Sequence, residues 1–149
     1  MIIRDAEIAD ADELDRLLTL LIRDESKYDV NLNNTCMITD NYCSRIGLDG
    51  HKILVAEENG QIVGFLYGFI YHIPNITLQP AAILDALYIV DKYRGKGCAT
   101  ALITQFKHFA KENNACRIEL KVISENEQAL KLYEKLSFRE VKKYMYAEL

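Results

Sequence analysis

The chain of 149 residues has no tryptophan, only two prolines and no long apolar stretch. A membrane-spanning helix needs about 18 consecutive apolar residues. The best candidate, Phe65–Ile73, is short and contains Gly68 and His72, which excludes a membrane span. Hydrophobic residues make up 50% of the chain, so the low hydrophobicity that keeps a chain disordered is also missing. The length predicts a single domain covering residues 1–149.

Basic residues are in the minority, with 18 Lys and Arg against 22 Asp and Glu and a net charge of −4. Nucleic-acid backbones attract basic surfaces, so this balance argues against a nucleic-acid partner. No basic segment followed by an apolar one precedes the first strand, so no signal peptide is indicated. We therefore expect a cytoplasmic protein.

The cysteines are few and lack the spacing of a metal site or a disulfide framework. Cys36, Cys43, Cys98 and Cys116 form no Cys-x-x-Cys pair, and no histidine stands at a ligand-like interval from them. This spacing predicts free thiols and no metal site.

The first third of the chain predicts one short strand and a strongly amphipathic helix. The strand covers Ile2–Arg4. Asp10, followed three residues later by Glu13, is typical of a capped helix start. Apolar residues then recur at helical spacing through Ala11–Ile22. A weaker helix is predicted within Cys36–Ile46.

A β-hairpin is predicted in the middle of the chain. Asn59-Gly60 separates the apolar segments Lys52–Glu58 and Gln61–Ile73, and Asn-Gly between two such segments is the strongest short-range hairpin signal. Gly64 and Gly68 inside the second strand predict a bulge or a close approach of neighbouring atoms.

The second half alternates between strands and helices. The predicted order is strand, helix, strand, helix, then one or two closing strands: Ala82–Val90, Gly97–Asn113, Cys116–Val122, Glu125–Leu136 and Phe138–Leu149. Strand–helix–strand at this spacing implies a parallel crossover. The fold class is therefore α/β with a mixed sheet, in which an antiparallel N-terminal half is joined to a βαβ C-terminal half.

The residues that predict a ligand site lie in the loop between the strand Ala82–Val90 and the following helix. The first turn of a helix leaves four N–H groups without intrahelical partners, and Gly95 and Gly97 let a ligand approach the backbone closely. The helix dipole then favours an anion such as a phosphate or diphosphate. Arg94 and Lys96 add positive charge beside it.

The glycine pair also occurs in other kinds of loop. A plain turn into a helix needs the same residues. A P-loop is excluded, because no Gly-Lys-Ser/Thr occurs. A dinucleotide site would use Gly95, Gly97 and Thr100, with Glu119 about twenty residues on, but the third position is Thr and the N-terminal hairpin is the wrong topology.

Two segments together resemble a known family. Arg94-x-x-Gly97-x-Ala99 matches the pattern R/Q-x-x-G-x-G/A, and Asn126–Phe138 resembles the pattern N-x-x-A-x-x-x-Y-x-K-x-G-F. Both are signatures of the GNAT family of N-acetyltransferases, and the order of elements agrees over nearly the whole chain. Ser137 stands where the family usually has Gly, so we expect an unusual backbone angle there.

The resemblance implies a site for acetyl-CoA. Backbone N–H groups would hold its diphosphate, and these belong to Gly95, Lys96, Gly97, Cys98, Ala99 and Thr100. The pantetheine arm would pair like an added strand with Leu87, Tyr88 and Ile89, and the N–H near Ile89 would stabilise the oxyanion. Arg94, Asn126 and Ala129 complete the implied cofactor site, although Asn126 also suits a helix cap.

The resemblance also implies two catalytic groups. Tyr133 becomes the general acid that protonates the departing thiolate, whereas an isolated tyrosine here would be read as a core residue. Asp85 becomes the candidate base, because an acid occurs there in diamine acetyltransferases of the family. It lies four residues before Ile89 and so on the same face by strand alternation. A structural role for Asp85 remains equally open.

The predicted function is direct transfer of an acetyl group from acetyl-CoA to a primary amine of a small molecule or peptide. No metal is implied. A covalent intermediate on Cys98 is disfavoured, because no histidine is placed near it in sequence. The alternative is a non-catalytic acyl-CoA-binding sensor module. The resemblance also makes a homodimer possible.

Overall fold

Five strands and three α-helices account for the regular structure in this computed structural model, which describes residues 1–149. The strands are β1 (Ile2–Asp5), β2 (His51–Glu58), β3 (Gln61–Tyr71), β4 (Ala81–Ile89) and β5 (Ile118–Leu120). The helices are α1 (Ala11–Glu25), α2 (Cys98–Glu112) and α3 (Glu127–Lys135). None of these helices combines the length and apolar character that crossing a bilayer requires.

The strands form one mixed sheet in the order β1-β2-β3-β4-β5. The first four pair antiparallel, and β5 pairs parallel to β4. A parallel pair needs a crossover, which α2 supplies. The predicted fold class, an antiparallel N-terminal half joined to a βαβ C-terminal half, is confirmed.

The hairpin between β2 and β3 follows the predicted turn chemistry. Asn59 and Gly60 have φ angles of 52° and 75°. Positive φ at both central residues is what a tight two-residue hairpin turn requires.

Helices cover both faces of the sheet. One buried cluster packs α2 against the sheet through Leu102, Ile103 and Phe106. The other packs α1 against the opposite face through Leu14 and Leu17. The apolar stripe predicted for α1 therefore faces the core, and the apolar residues of α2 do the same on the other face.

The start of α1 differs from the predicted capping box. Asp10 occupies the N-cap position, but its side chain caps no N–H of α1. Its carboxylate instead accepts the Glu7 N–H at 2.8 Å and the Arg4 guanidinium at 2.8 Å. Glu13 pairs with Arg16, so the prediction was wrong because both acids have stronger, cationic partners.

The segment between α1 and β2 contains no helix, so the helix predicted within Cys36–Ile46 was wrong. Side chains of α1 satisfy its backbone instead: Asp15 accepts the N–H groups of Asn41 and Tyr42 at 3.0 and 3.1 Å. Asp40 has a φ of 54°, a left-handed conformation that interrupts a helix. The segment is thus fastened onto α1 and forms only isolated turns of its own, such as the bond from the Ile46 N–H to the Tyr42 carbonyl at 3.1 Å.

The C-terminal residues form no strand, so the closing strands predicted in Phe138–Leu149 were wrong. Residues 139–149 are exposed and have no regular structure. Their apolar side chains, among them Val141 and Met145, face solvent. The adjacent strand β5 is only three residues long, so it offers little edge for a further strand.

Gly68 confirms the predicted close approach within β3. A Cβ at this position would overlap the Phe106 ring and the Ile83 carbonyl oxygen. We expect Gly68→Ala to lower the free energy of unfolding by about 3 kcal/mol, since overpacking a filled core is strongly destabilising. Urea unfolding measures this effect.

Gly47→Ala is the matched control for Gly68→Ala. Gly47 has a φ of 75° but no atom within 4 Å of its would-be Cβ, so the substitution adds only left-handed strain of about 1 kcal/mol. Equal losses in the two variants would contradict the packing explanation.

Candidate functional site

A row of unpaired backbone donors lies between β4 and α2. The N–H groups of residues 95–100 donate no hydrogen bond within the chain, and the first bond into α2 runs from the Ala101 N–H to the Gly97 carbonyl at 3.0 Å. Gly97 is the N-cap residue and has no side chain to cap the helix. Six consecutive free donors at a helix N-terminus make a site for an anion.

The two glycines of this row shape it. Gly95 and Gly97 have φ angles of 72° and 82°, in the region that favours glycine. A Cβ at either position would meet no atom within 4 Å. The space over the donors is therefore open to a ligand.

The edge of β4 next to this loop is unpaired. Pairing between β4 and β5 ends at Leu84 and Leu120, whereas β4 continues to Ile89. Because the Val90 N–H donates to the Val63 carbonyl on the β3 side, alternation directs the backbone groups of Leu87 and Ile89 to the opposite edge. An extended ligand segment finds free backbone partners there in Leu87 and in the Ile89 N–H, whereas the Ile89 carbonyl already accepts from Arg94.

Arg94 fastens the loop rather than presenting a free charge. Its Nε donates to the Ile89 carbonyl at 2.8 Å. Its Nη2 lies 3.1 Å from Asp24 and 3.0 Å from Asp91, and the guanidinium stacks over Tyr88 at 5.3 Å. Of the two basic residues predicted to add charge beside the loop, Arg94 is thus neutralised by carboxylates.

Lys96 remains on the surface beside the loop. Its Nζ lies 5.3 Å from the centre of the Tyr93 ring and pairs with no carboxylate. It therefore keeps its positive charge next to the free donors.

Helix α3 covers Glu127–Lys135, slightly less than the predicted Glu125–Leu136. The Asn126 side chain accepts the Ala129 N–H at 3.1 Å and so caps the helix. At the other end Ser137 has a φ of 69°, the unusual angle predicted where the family has Gly. The Phe138 N–H then bonds back to the Tyr133 carbonyl at 2.9 Å.

Tyr133 projects from α3 into the cluster that contains Ile89 and Cys98. Its ring meets Phe138 edge-on at 5.7 Å, and its hydroxyl has no hydrogen-bond partner within the chain. Burial, with a further contribution from the charge of Glu25, raises the pKa of Tyr133 to about 12. The phenol therefore holds its proton at neutral pH and is able to donate it.

Asp85 lies at an irregularity in β4. Tyr67 pairs with Ala86 and Gly68 with Leu84, which leaves Asp85 as an extra residue. This bulge interrupts the alternation that predicted Asp85 and Ile89 on one face. Burial is the main cause of the raised pKa of Tyr42, and the negative charge of exposed Asp85 adds to it. Tyr42 belongs to the α1-side cluster, which packs against α1, whereas Ile89 belongs to the α2-side cluster, which packs against α2.

Sequence reasoning missed a polar aromatic group on the α1 side. The Tyr67 hydroxyl lies 2.9 Å from His51 Nδ1. Arg45 stacks over the rings of Tyr67 and Tyr42 at 5.5 and 5.9 Å. These residues come from three separate segments, so no local sequence signal points to the group.

Two further features complete the surroundings. A surface cavity of about 550 Å³ adjoins the start of the loop at Val90 and Tyr93, but Tyr133 does not line it. No three His, Cys, Asp or Glu side chains come together as metal ligands.

Among curated proteins, the chain is similar to two archaeal relatives. It is 34% identical over 92 residues to the uncharacterized N-acetyltransferase MJ1207 of Methanocaldococcus jannaschii, covering 62% of this chain and 41% of that protein. It is 34% identical over 104 residues to an N-alpha-acetyltransferase of Sulfurisphaera tokodaii, covering 63% and 61%. The chain thus spans less than two thirds of either relative.

Solved structures share the fold. A mutant of the BH1408 protein from Bacillus halodurans superposes with a TM-score of 0.90 at 22% identity, covering 100% of this chain and 99% of that one. The aminoglycoside N-acetyltransferase AAC(6')-Iy in complex with CoA gives 0.76 at 17% identity, covering 99% and 98%. Residues 14–138 match the Acetyltransferase (GNAT) family. The chain therefore belongs to the GNAT acetyltransferase family.

Proposed function

We propose that this protein transfers an acetyl group from acetyl-CoA to a primary amine. The observation that carries the proposal is the row of six free N–H groups at residues 95–100, which adjoins the unpaired edge of β4. An anion site followed by a free strand edge suits a ligand with a diphosphate and an extended, amide-containing arm.

The residues present fit acetyl-CoA. The open space over Gly95 and Gly97 leaves room for a diphosphate. The donors that would hold it are the N–H groups of residues 95–100, and the backbone of Leu87–Ile89 would pair with the pantetheine arm. Acetyl-CoA would supply the activated thioester. The protein and the acceptor amine would supply the other reacting groups.

The chain contributes to the reaction at two atoms. The free N–H of Ile89 donates to the thioester oxygen and stabilises the charge that develops there. Tyr133 donates its phenolic proton to the departing sulfur, and its raised pKa keeps that proton in place before transfer. Asn126 and Ala129 hold the start of α3 and so the position of Tyr133.

Direct transfer is favoured over an acyl-enzyme on Cys98. This side chain is buried, and burial raises the pKa of its thiol to about 11. A nucleophilic cysteine requires a thiolate, so the amine itself is the nucleophile in this proposal.

The acceptor is proposed only as a class. One relative is named an N-alpha-acetyltransferase and one structural neighbour an aminoglycoside N-acetyltransferase, and both names imply amines. Asp85, at the position where diamine acetyltransferases of the family carry an acid, keeps a diamine among the candidates. A peptide amine and a small-molecule amine both remain in the proposal.

A thiol-release assay tests the proposed function. The protein is mixed with acetyl-CoA and a panel of diamines, polyamines, aminoglycosides, amino acids and peptide N-termini. We expect free CoA to appear with at least one amine. Tight acetyl-CoA binding without release for any amine would support the alternative, a non-catalytic acyl-CoA sensor, and no binding at all would contradict both.

The single domain and the homodimer stay predictions. Large exposed apolar side chains among the C-terminal residues are the observation that favours a dimer. They are Val141, Tyr144, Met145, Tyr146 and Leu149.

A further inference from the structure

Glu25 is the last residue of α1, a helix whose C-terminal end is tied to the end of β4. Its neighbour Asp24 pairs with Arg94, whose Nε also donates to the Ile89 carbonyl at 2.8 Å. This chain of contacts joins the C-terminal end of α1 to the C-terminal end of β4. Glu25, next to Asp24 on α1, therefore lies near the C-terminal end of β4.

The Glu25 carboxylate has no partner of opposite charge. It is half-buried, yet it forms no salt bridge and no side-chain hydrogen bond in a chain where eight other ion pairs occur. Burial, and then the charge of Asp24, raise its pKa. Keeping a half-buried carboxylate charged without a partner costs free energy. Such a group is typical of a site where the partner is a ligand.

The charge of Glu25 also influences Tyr133. After burial, the charge of Glu25 is the one influence that raises the pKa of the Tyr133 phenol. Asp85 acts instead on Tyr42 and Tyr67 in the α1-side cluster. Of the two candidate carboxylates, Glu25 is therefore the one that acts on the proposed proton donor, Tyr133.

We infer that Glu25, rather than Asp85, receives the ammonium group of the acceptor and takes the proton that frees its lone pair. This inference rests on the proposed function. An amine is mostly protonated at neutral pH, so a nearby carboxylate both attracts the cation and accepts its proton.

The step balances in protons and bonds. Glu25 accepts one proton from the ammonium, and the neutral nitrogen forms the C–N bond to the thioester carbon. The C–S bond breaks as Tyr133 gives its proton to sulfur. The second proton lost by nitrogen restores Tyr133, and the proton on Glu25 leaves to solvent.

The test is Glu25→Gln, which keeps the size of the side chain and removes its charge. We expect kcat/KM for the acceptor to fall about 100-fold or more, the usual contribution of a general base, with an unchanged Kd for acetyl-CoA. Glu25→Asp keeps the charge, and we expect it to restore part of the activity. A change in folding alone would alter acetyl-CoA binding and the melting temperature as well.

Glu13→Gln is the matched control on the same helix. Glu13 pairs with Arg16 on the surface at 2.6 Å, and we expect kcat/KM to change by no more than about twofold, as surface ion pairs contribute little. Retention of full kcat/KM in both Glu25→Gln and Glu25→Asp would overturn the inference and leave the proposed function intact. Absence of thiol release by the unaltered protein would overturn both.

Discussion

Replacing Tyr133 with Phe is expected to lower kcat about 100- to 1,000-fold, the contribution typical of a general acid. The leaving thiolate then departs without a proton. Phe fills the same space against Phe138 and the α2-side cluster, and the lost hydroxyl has no partner within the chain. The fold and the acetyl-CoA site therefore stay intact, and the Kd for acetyl-CoA is expected to be unchanged.

Steady-state kinetics and calorimetric titration with acetyl-CoA measure the two quantities separately. Tyr71→Phe is the matched control, because Tyr71 is 49% exposed at the end of β3 and takes no part in the site. An unchanged kcat in Tyr133→Phe would remove the phenol from the mechanism. A parallel loss of acetyl-CoA binding would show that Tyr133 acts through the structure instead.

Gly97→Asp is expected to weaken the binding of acetyl-CoA strongly. The new carboxylate projects into the open space over the free donors and repels a diphosphate. Loss of about 3 kcal/mol of charge-assisted hydrogen bonding corresponds to an affinity roughly 100-fold weaker. Aspartate tolerates left-handed backbone better than most residues, so the melting temperature should fall little.

Gly47→Asp separates the ligand effect from backbone strain. Gly47 has a φ of 75°, close to the 82° of Gly97, and open space around it, but it lies in the segment between α1 and β2. We expect this variant to bind acetyl-CoA normally. Equal weakening in the two variants, or none in Gly97→Asp, would contradict a diphosphate site at the start of α2.

Features that depend on neighbouring residues could be predicted from the sequence. Asn59-Gly60 encodes its turn through the backbone angles it tolerates, and Asn126 caps α3 with a side chain three residues from its partner. The free donors before α2 follow in the same way from two glycines at a helix start.

Features that depend on distant residues could not be predicted. Arg94 is neutralised by Asp24, 70 positions earlier. Asp15, 26 positions before Asn41, accepts the N–H groups at the start of the predicted helix, so helical spacing alone gave a wrong prediction there. The bulge that turns Asp85 away from Ile89 arises from the pairing of β4 with β3. Strand alternation alone does not predict such a bulge.

The central claim is that the backbone N–H groups of residues 95–100 hold the diphosphate of acetyl-CoA. A crystal structure of the protein with saturating CoA tests it most directly. We expect diphosphate oxygens within hydrogen-bonding distance of these nitrogens and the pantetheine arm along Leu87–Ile89. Electron density for CoA elsewhere on the protein, or none at saturation, would contradict it.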